Sequence, residues 1–188
     1  MDTSLILRIA ILVIALLFLG YGASIYNSLV QVRNNVGKAW RNIDVLLQQR
    51  HDELPKLVDA CSAYMKHERE VLDQVTRLRT RFGQAPTTEE KTQVENQLNE
   101  QLARLRLNLE AYPDLKASQN FLQVQGRVSE LESSIADRRE LFNDSANIYN
   151  IVIEQFPAAM LARLLRYRPH PLLEVPEELK QDVKLRFA

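Results

Sequence analysis

The chain has 188 residues, with 24 Lys and Arg against 24 Asp and Glu, so its formal charge is zero and an electrostatic grip on nucleic acid has nothing to rest on. Five Gly and seven Pro are too few for a many-turned β-sandwich or barrel, whereas 46% apolar and 26% charged residues suit long amphipathic helices. One Cys excludes a disulfide framework, and three scattered His cannot by themselves build a structural zinc site.

Residues 9–19 are an unbroken apolar run, and no charge occurs between Arg8 and Arg33, which leaves 24 uncharged residues. At about 1.5 Å of rise per residue this is roughly 36 Å of helix, enough to cross a hydrocarbon core about 30 Å thick. A cleaved signal peptide is the competing reading, because Gly20, Gly22, Ala23 and Ser24 are small residues of the kind found near cleavage sites. A retained single-pass anchor is favoured: no lipid-attachment cysteine follows the run, and Ile25, Leu29 and Val32 continue the helical pattern without a break. Arg33, Lys38 and Arg41 follow the span, while Arg8 before it is offset by Asp2, so the balance of basic residues places the large domain in the cytoplasm.

Beyond the anchor and its juxtamembrane helix (1–32), the periodicity predicts an antiparallel bundle over 33–156. In the first long helix Ile25, Leu29, Val32, Val36, Ala39, Ile43 and Leu46 form one stripe, and Leu54, Leu57, Cys61, Tyr64, Val71, Val75, Leu78 and Phe82 form another. The spacing slips between Leu46 and Leu54. Asp52 there can cap a new helical start with Pro55 in its first turn, so a kink or brief interruption is expected. Gly83 and Pro86 make a turn, and Thr87 with Glu90 three residues later is a capping-box pattern opening a second helix, whose stripe is Val94, Leu98, Leu102, Leu105 and Leu109.

Tyr112, Pro113 and Asp114 end that helix, and a third carries Phe121, Val124, Val128, Leu131, Ile135, Arg138, Phe142, Ser145, Tyr149, Val152 and Phe156 at steps of three and four. Such a seam is buried coiled-coil fashion, with Arg138 and Ser145 as its polar interruptions. Short connections make the three long helices run up, down and up. Over 157–188, Pro157, Pro169, Pro171 and Pro176 allow only a short helix near 158–165, yet Leu172, Leu173, Val175, Leu179 and Phe187 among others argue that this tail packs on the bundle as a fourth layer. Arg163, Arg166 and Arg168 are its basic cluster, read as a solvated face in preference to a contact with anionic lipid.

The chain contains no Gly-rich phosphate loop, nucleophile elbow or His-Glu-x-x-His pair. His51 and His67 are 16 residues apart, about 24 Å along a helix, too far for one segment to bring them to a shared metal. Cys61 falls on the apolar stripe and reads as a core thiol, and Trp40 beside the stripe reads as a largely buried groove filler. No catalytic, cofactor-binding or metal-binding residue is assigned. A pocket would need Asp137, Arg138, Glu140 and Asp144 on the third helix to face Arg41, Asp44 or Arg50 on the first.

The stretch YNSLVQVRNNVGKAWRNIDVLLQQRHDELPKLV from Tyr26 to Val58 resembles the signature segment of the LemA family of bacterial membrane proteins. AYMKHEREVL, AYPDLKASQNFLQVQ, IADRRELFNDSANIYN and QFPAAMLA resemble the family's later blocks in the same order, so the likeness covers nearly the whole chain. The tail departs from it: Leu172 and Leu173 stand where relatives commonly carry an aromatic pair. The resemblance implies an anchored antiparallel bundle in the bacterial inner membrane and a role in membrane organisation or envelope maintenance, without a settled biochemical activity. The expectation is a non-enzymatic, self-associating scaffold with the bilayer as partner, with an adaptor for a membrane protease or transport complex as the alternative.

Overall fold

The computed structural model of the protein describes residues 3–173, which contain helices and turns and no strand. Helix α1 spans Thr3–Ser62, α2 Arg69–Gln84, α3 Thr88–Asn108, α4 Pro113–Lys116 after a 3-10 turn at Leu109–Ala111, α5 Gln119–Glu154 and α6 Ala158–Leu164. An apolar leading helix followed by an all-α bundle is therefore the architecture. The chain divides into two compact units, one made of Met1–Ile43 with Ala136–Ala188 and the other of Asp44–Ile135, and α1 and α5 each lend a segment to both.

In the unit of residues 44–135, α1 runs on without the interruption expected near Pro55. The stripe does not slip. It continues through Leu47, Arg50, His51, Leu54, Leu57 and Cys61, all buried, so the gap in the apolar pattern is filled by two polar side chains. Asp52 is exposed in mid-helix and caps nothing. Pro55 has no N–H to give the His51 carbonyl four residues back, an omission that disrupts most helix interiors. Here the Arg79 Nε of α2 donates to that carbonyl at 3.2 Å, so a neighbouring helix supplies the missing bond.

The second apolar stripe is shared between two helices. Residues 63–68 turn, with the amides of Tyr64 and Met65 both donating to the Cys61 carbonyl and Met65 fully buried as a plug. The polar residues Lys66, His67, Glu68, Arg69 and Glu70 between Met65 and Val71 were the sign of that break. Leu72, Val75, Leu78 and Phe82 then form the buried face of α2. Thr87 caps α3 as expected, its Oγ1 accepting from the Glu90 amide at 3.2 Å.

Because α2 intervenes, α3 runs parallel to this part of α1. Asp44 pairs with Lys91, and Arg50 reaches Glu95 and Asn99. The run of three long helices up, down and up is thus replaced in this unit by four segments, each antiparallel to the one before, the last being α5, whose Glu132 meets Arg106 of α3.

In the unit of residues 3–43 and 136–173, α5 returns antiparallel to α1, with Trp40 edge-on to Phe142 at 6.0 Å between ring centroids. Trp40 is only partly covered, a correction to its expected burial: it meets Phe142 edge-on and leaves part of its surface open. The buried positions of α5 are Phe121, Val128, Leu131, Ile135, Arg139, Phe142, Ala146, Tyr149 and Ile153. The heptad seam holds as far as Ile135 and again at Phe142 and Tyr149, but Arg139, Ala146 and Ile153 replace Arg138, Ser145 and Val152. A straight helix advances 3.6 residues per turn against the seam's 3.5, a drift of about 20° per heptad that carries the inward face onto the next residue. Arg138 is accordingly exposed, and Phe156 is 81% exposed. After α6, which begins where expected, residues 165–173 run along α5; residues 174–188, including Val175, Pro176, Leu179 and Phe187, lie outside the described residues.

Candidate functional site

A buried polar cluster occupies the centre of the unit formed by residues 44–135. Glu95 sits beside Val94 on the buried face of α3 and is completely enclosed. Arg50 of α1 forms an ion pair with one of its carboxylate oxygens, and His51 Nε2 lies 2.5 Å from the other. Arg50 also donates to Asn99 Oδ1 at 3.0 Å and approaches Glu132 of α5 at 3.9 Å. The imidazole stacks on Phe82 of α2, with centroids 3.9 Å apart and planes within 13°. Neither His51 Nδ1 nor Arg50 Nε has a hydrogen-bond partner within the protein.

Charge and histidine in one place resemble general acid–base machinery, but this cluster is enclosed. His51 is 3% exposed and Arg50 2%, so no substrate atom reaches the carboxylate or the ring in this conformation. An apolar slit in the same unit, lined by Leu57, Leu102, Leu105 and Phe121 among others, holds about 20 Å³, room for a single water. Among the described residues no three His, Cys, Asp or Glu side chains converge as a metal would require. The cluster joins α1, α2, α3 and α5 through directional contacts and fixes their register. Cys61, fully buried on the same face of α1, has its thiol pushed up to about 11 by burial and stays protonated across the physiological range.

The accessible features belong to the other unit. Asn35, Lys38, Ala39 and Asn42 of α1 face Arg138, Leu141, Asp144, Ser145 and Ile148 of α5 across an open groove of about 300 Å³. Of the juxtaposition that a reactive pocket would need, Arg138 and Asp144 take part, but their opposite numbers are Lys38 and two asparagines. Asp44 and Arg50 are held by Lys91 and Glu95 of α3 instead. Leu141 and Ile148, seven residues apart, are 50% and 54% exposed. The groove offers a mixed apolar and charged seat for a side chain or a helix rather than convergent groups around a reacting atom.

Beside it, two asparagines seven residues apart on α5 hold the segment after α6. Asn143 Nδ2 donates to the Leu173 carbonyl and its Oδ1 accepts from the Leu173 amide, both at 2.8 Å. Asn150 makes the same pair with His170, at 2.9 and 2.8 Å. Tyr149 stands edge-on to His170 and stacks on Tyr167, over which the Arg33 guanidinium lies 5.2 Å from the ring centroid. Burial raises the Tyr149 hydroxyl above its ordinary value, with Arg33 pulling the other way. Sequence reasoning named Arg50 only as a pocket residue facing the third helix, and assigned no role to His51, Glu95, Asn143 or Asn150. The available signals were the polar gap in the α1 stripe, Glu95 beside Val94, and the seven-residue interval between the asparagines.

Two relatives bear on what this arrangement is. Over 158 residues the chain is 25% identical to Protein LemA of Metamycoplasma hominis, covering 84% of this chain and 72% of that one. Over 67 residues it is 31% identical to Magnetosome protein MamQ of Magnetospirillum gryphiswaldense, covering 36% of this chain and 25% of that protein. The model of the LemA family matches residues 39–187, which include α2, α3, both asparagines and the Arg50, His51 and Glu95 cluster. A match over that much of the sequence, in an all-α chain, establishes that the chain belongs to the LemA family.

Proposed function

We propose that the protein is a non-enzymatic scaffold, anchored in the bacterial inner membrane by α1, that self-associates and organises other proteins at the bilayer. The observation that carries this reading is the leading part of α1: an 18-residue apolar window of which none is buried, continuous with the helix that enters both units. An apolar stretch of that length left uncovered by the described residues calls for lipid. The sealed polar cluster and the open groove favour binding over chemistry, and exposed Leu141 and Ile148 beside Lys38, Arg138 and Asp144 give the groove both apolar and charged contacts for a second helix face. The likeness to a magnetosome protein favours a role in membrane organisation.

Arg33, Lys38 and Arg41 after the span support a cytoplasmic bundle, which a thiol-accessibility assay with an impermeant reagent on an Arg104→Cys variant tests in intact cells. Co-expression of two differently tagged copies tests self-association: each is expected to retain the other in mild detergent. Recovery of another membrane protein in stoichiometric amount with a single copy of this chain would favour the second reading, an adaptor for a membrane protease or transport complex.

A further inference from the structure

The surface around α6 is unusual for one facing water. Met160 and Leu164, one turn apart on the helix, are 68% and 77% exposed, Phe156 just before it is 81% exposed, and only Ala162 is fully turned inward. Interleaved with them are Arg163, Arg166 and Arg168, all exposed, and no acidic residue occurs between Glu154 and Glu174. Large apolar side chains on one face with cations alongside are the composition of a helix that lies in a membrane interface.

The fold also sets the height of this helix relative to the anchor. The Tyr167 amide donates to the Ala162 carbonyl at 2.9 Å, and its ring lies under Arg33 of α1, which ties the end of α6 to the first charged residue after the apolar span. About 20 residues of helix cross the hydrocarbon core, and counting from Ile9 this ends near Ser28. Up to Ser28 the α1 residues from Leu7 onward are exposed apart from Gly22 and Ile25, and at Leu29 exposure falls to zero. The bundle therefore begins to cover α1 where the bilayer would end, and α6 is at that level.

We propose that α6 and its flanks form a second, interfacial contact with the bilayer that α1 crosses. Phe156, Met160 and Leu164 enter the headgroup region, and Arg163, Arg166 and Arg168 take the phosphates of anionic lipids. This rests on α1 being a membrane anchor, and it adds a contact that holds the adjoining unit down on the surface rather than leaving it on a single stem. The left-handed backbone of Arg166, at φ 56, turns the chain after α6 so that Tyr167 meets Arg33 while Arg163 and Arg168 stay exposed.

The test is depth measurement by electron paramagnetic resonance on the full chain in nanodiscs. Nitroxides are placed singly through Met160→Cys and Leu164→Cys, with Leu16→Cys as the anchor control and Arg104→Cys as the solvent control; the native Cys61 is buried. In discs of phosphatidylglycerol mixed with phosphatidylcholine, the oxygen-to-nickel collision ratio at positions 160 and 164 is expected to lie severalfold above that at 104 and below that at 16, as an interfacial depth requires. Joint Arg163→Gln, Arg166→Gln and Arg168→Gln substitution is expected to lower it severalfold, as is removal of phosphatidylglycerol. A lipid-like ratio at 16 with a solvent-like ratio at 160 and 164 overturns the interfacial contact and leaves the anchor standing, whereas a solvent-like ratio at 16 overturns the anchor itself. Low collision rates with both reagents at 160 and 164 mean that protein covers the helix, from residues 174–188 or a second copy, and also overturn the proposal. A lipid-like ratio indifferent to lipid charge and to the three substitutions overturns the assignment of the arginines to anionic headgroups.

Discussion

Glu95 is the residue on which the unit of residues 44–135 turns, because it is fully enclosed and both its carboxylate oxygens are engaged by neighbours on α1. Removing it leaves the Arg50 guanidinium buried with only Asn99 and a distant Glu132. Breaking a buried pair from one side typically costs about 3–5 kcal/mol, more than the intact pair contributes over apolar packing. Glu95→Ala is accordingly expected to lower unfolding free energy by about that amount in urea, and a midpoint unchanged within error would show that the cluster is not structural. Cys61 makes a second residue-scale test. With its thiol pushed from 9.0 to about 11, the thiolate at pH 8 is about a hundredfold scarcer than in the unfolded chain, and burial adds a steric barrier. Maleimide labelling is expected to be negligible in the native protein and rapid in urea. The sign for stability follows from the raised value: this thiol's contribution is complete below pH 9 and is lost as pH rises from 9 towards 11.

At the level of elements, a proline and an arginine on different helices compensate for each other. Pro55 frees the His51 carbonyl, and Arg79 fills it. Arg79→Met is expected to cost about 1–2 kcal/mol in the native sequence and markedly less alongside Pro55→Ala, where the restored amide bonds the carbonyl from within α1. Equal costs in both backgrounds, measured by a double-mutant cycle, would remove that explanation for the continuous helix. Hydrophobic periodicity made helix existence legible from the residues: Val36, Ile43, Leu54 and Leu57 of α1, the stripe that opens at Val94 of α3, and Phe121, Val128, Leu131 and Ile135 of α5 lie buried where their spacing puts them. It failed where polar side chains took inward positions, at Arg50, His51, Glu95 and Arg139, since no periodic scale distinguishes a paired charge in a core from one in solvent. It failed also at the turn over 63–68, which contains neither Gly nor Pro. The asparagine clamps were illegible for a related reason: Asn143 and Asn150 read as surface amides until the segment they hold is folded back upon them. Their joint replacement by Ala is expected to bring hydrogen exchange at the His170 and Leu173 amides close to the unprotected rate while leaving α5 unchanged.

For the molecule as a whole, the decisive feature is that α1 passes from an apolar span into the folded units with no Gly/Ser-rich linker. A flexible Gly-Ser insertion at Asn34 is expected to preserve folding and membrane attachment but to impair biological activity, and full activity would show that a rigid connection is dispensable. Anchoring confines copies to two dimensions, where weak contacts are reinforced by high local concentration, and the groove with exposed Leu141 and Ile148 supplies a face on which such contacts can form. Gly20 and Gly22 are too closely spaced for the Gly-x-x-x-Gly arrangement, so the proposed association would rest on helix-face and other anchor contacts and not mainly on that pair. Self-association is the central claim, and multi-angle light scattering coupled to size exclusion tests it most directly, on the full chain in detergent and on a version beginning at Tyr26 that keeps Leu29, across a range of protein concentrations. The scaffold account expects a protein mass of at least two copies of the 21.7 kDa chain for the full-length protein, with a smaller, concentration-dependent association in the shortened one. A monomer of both at every concentration would contradict it.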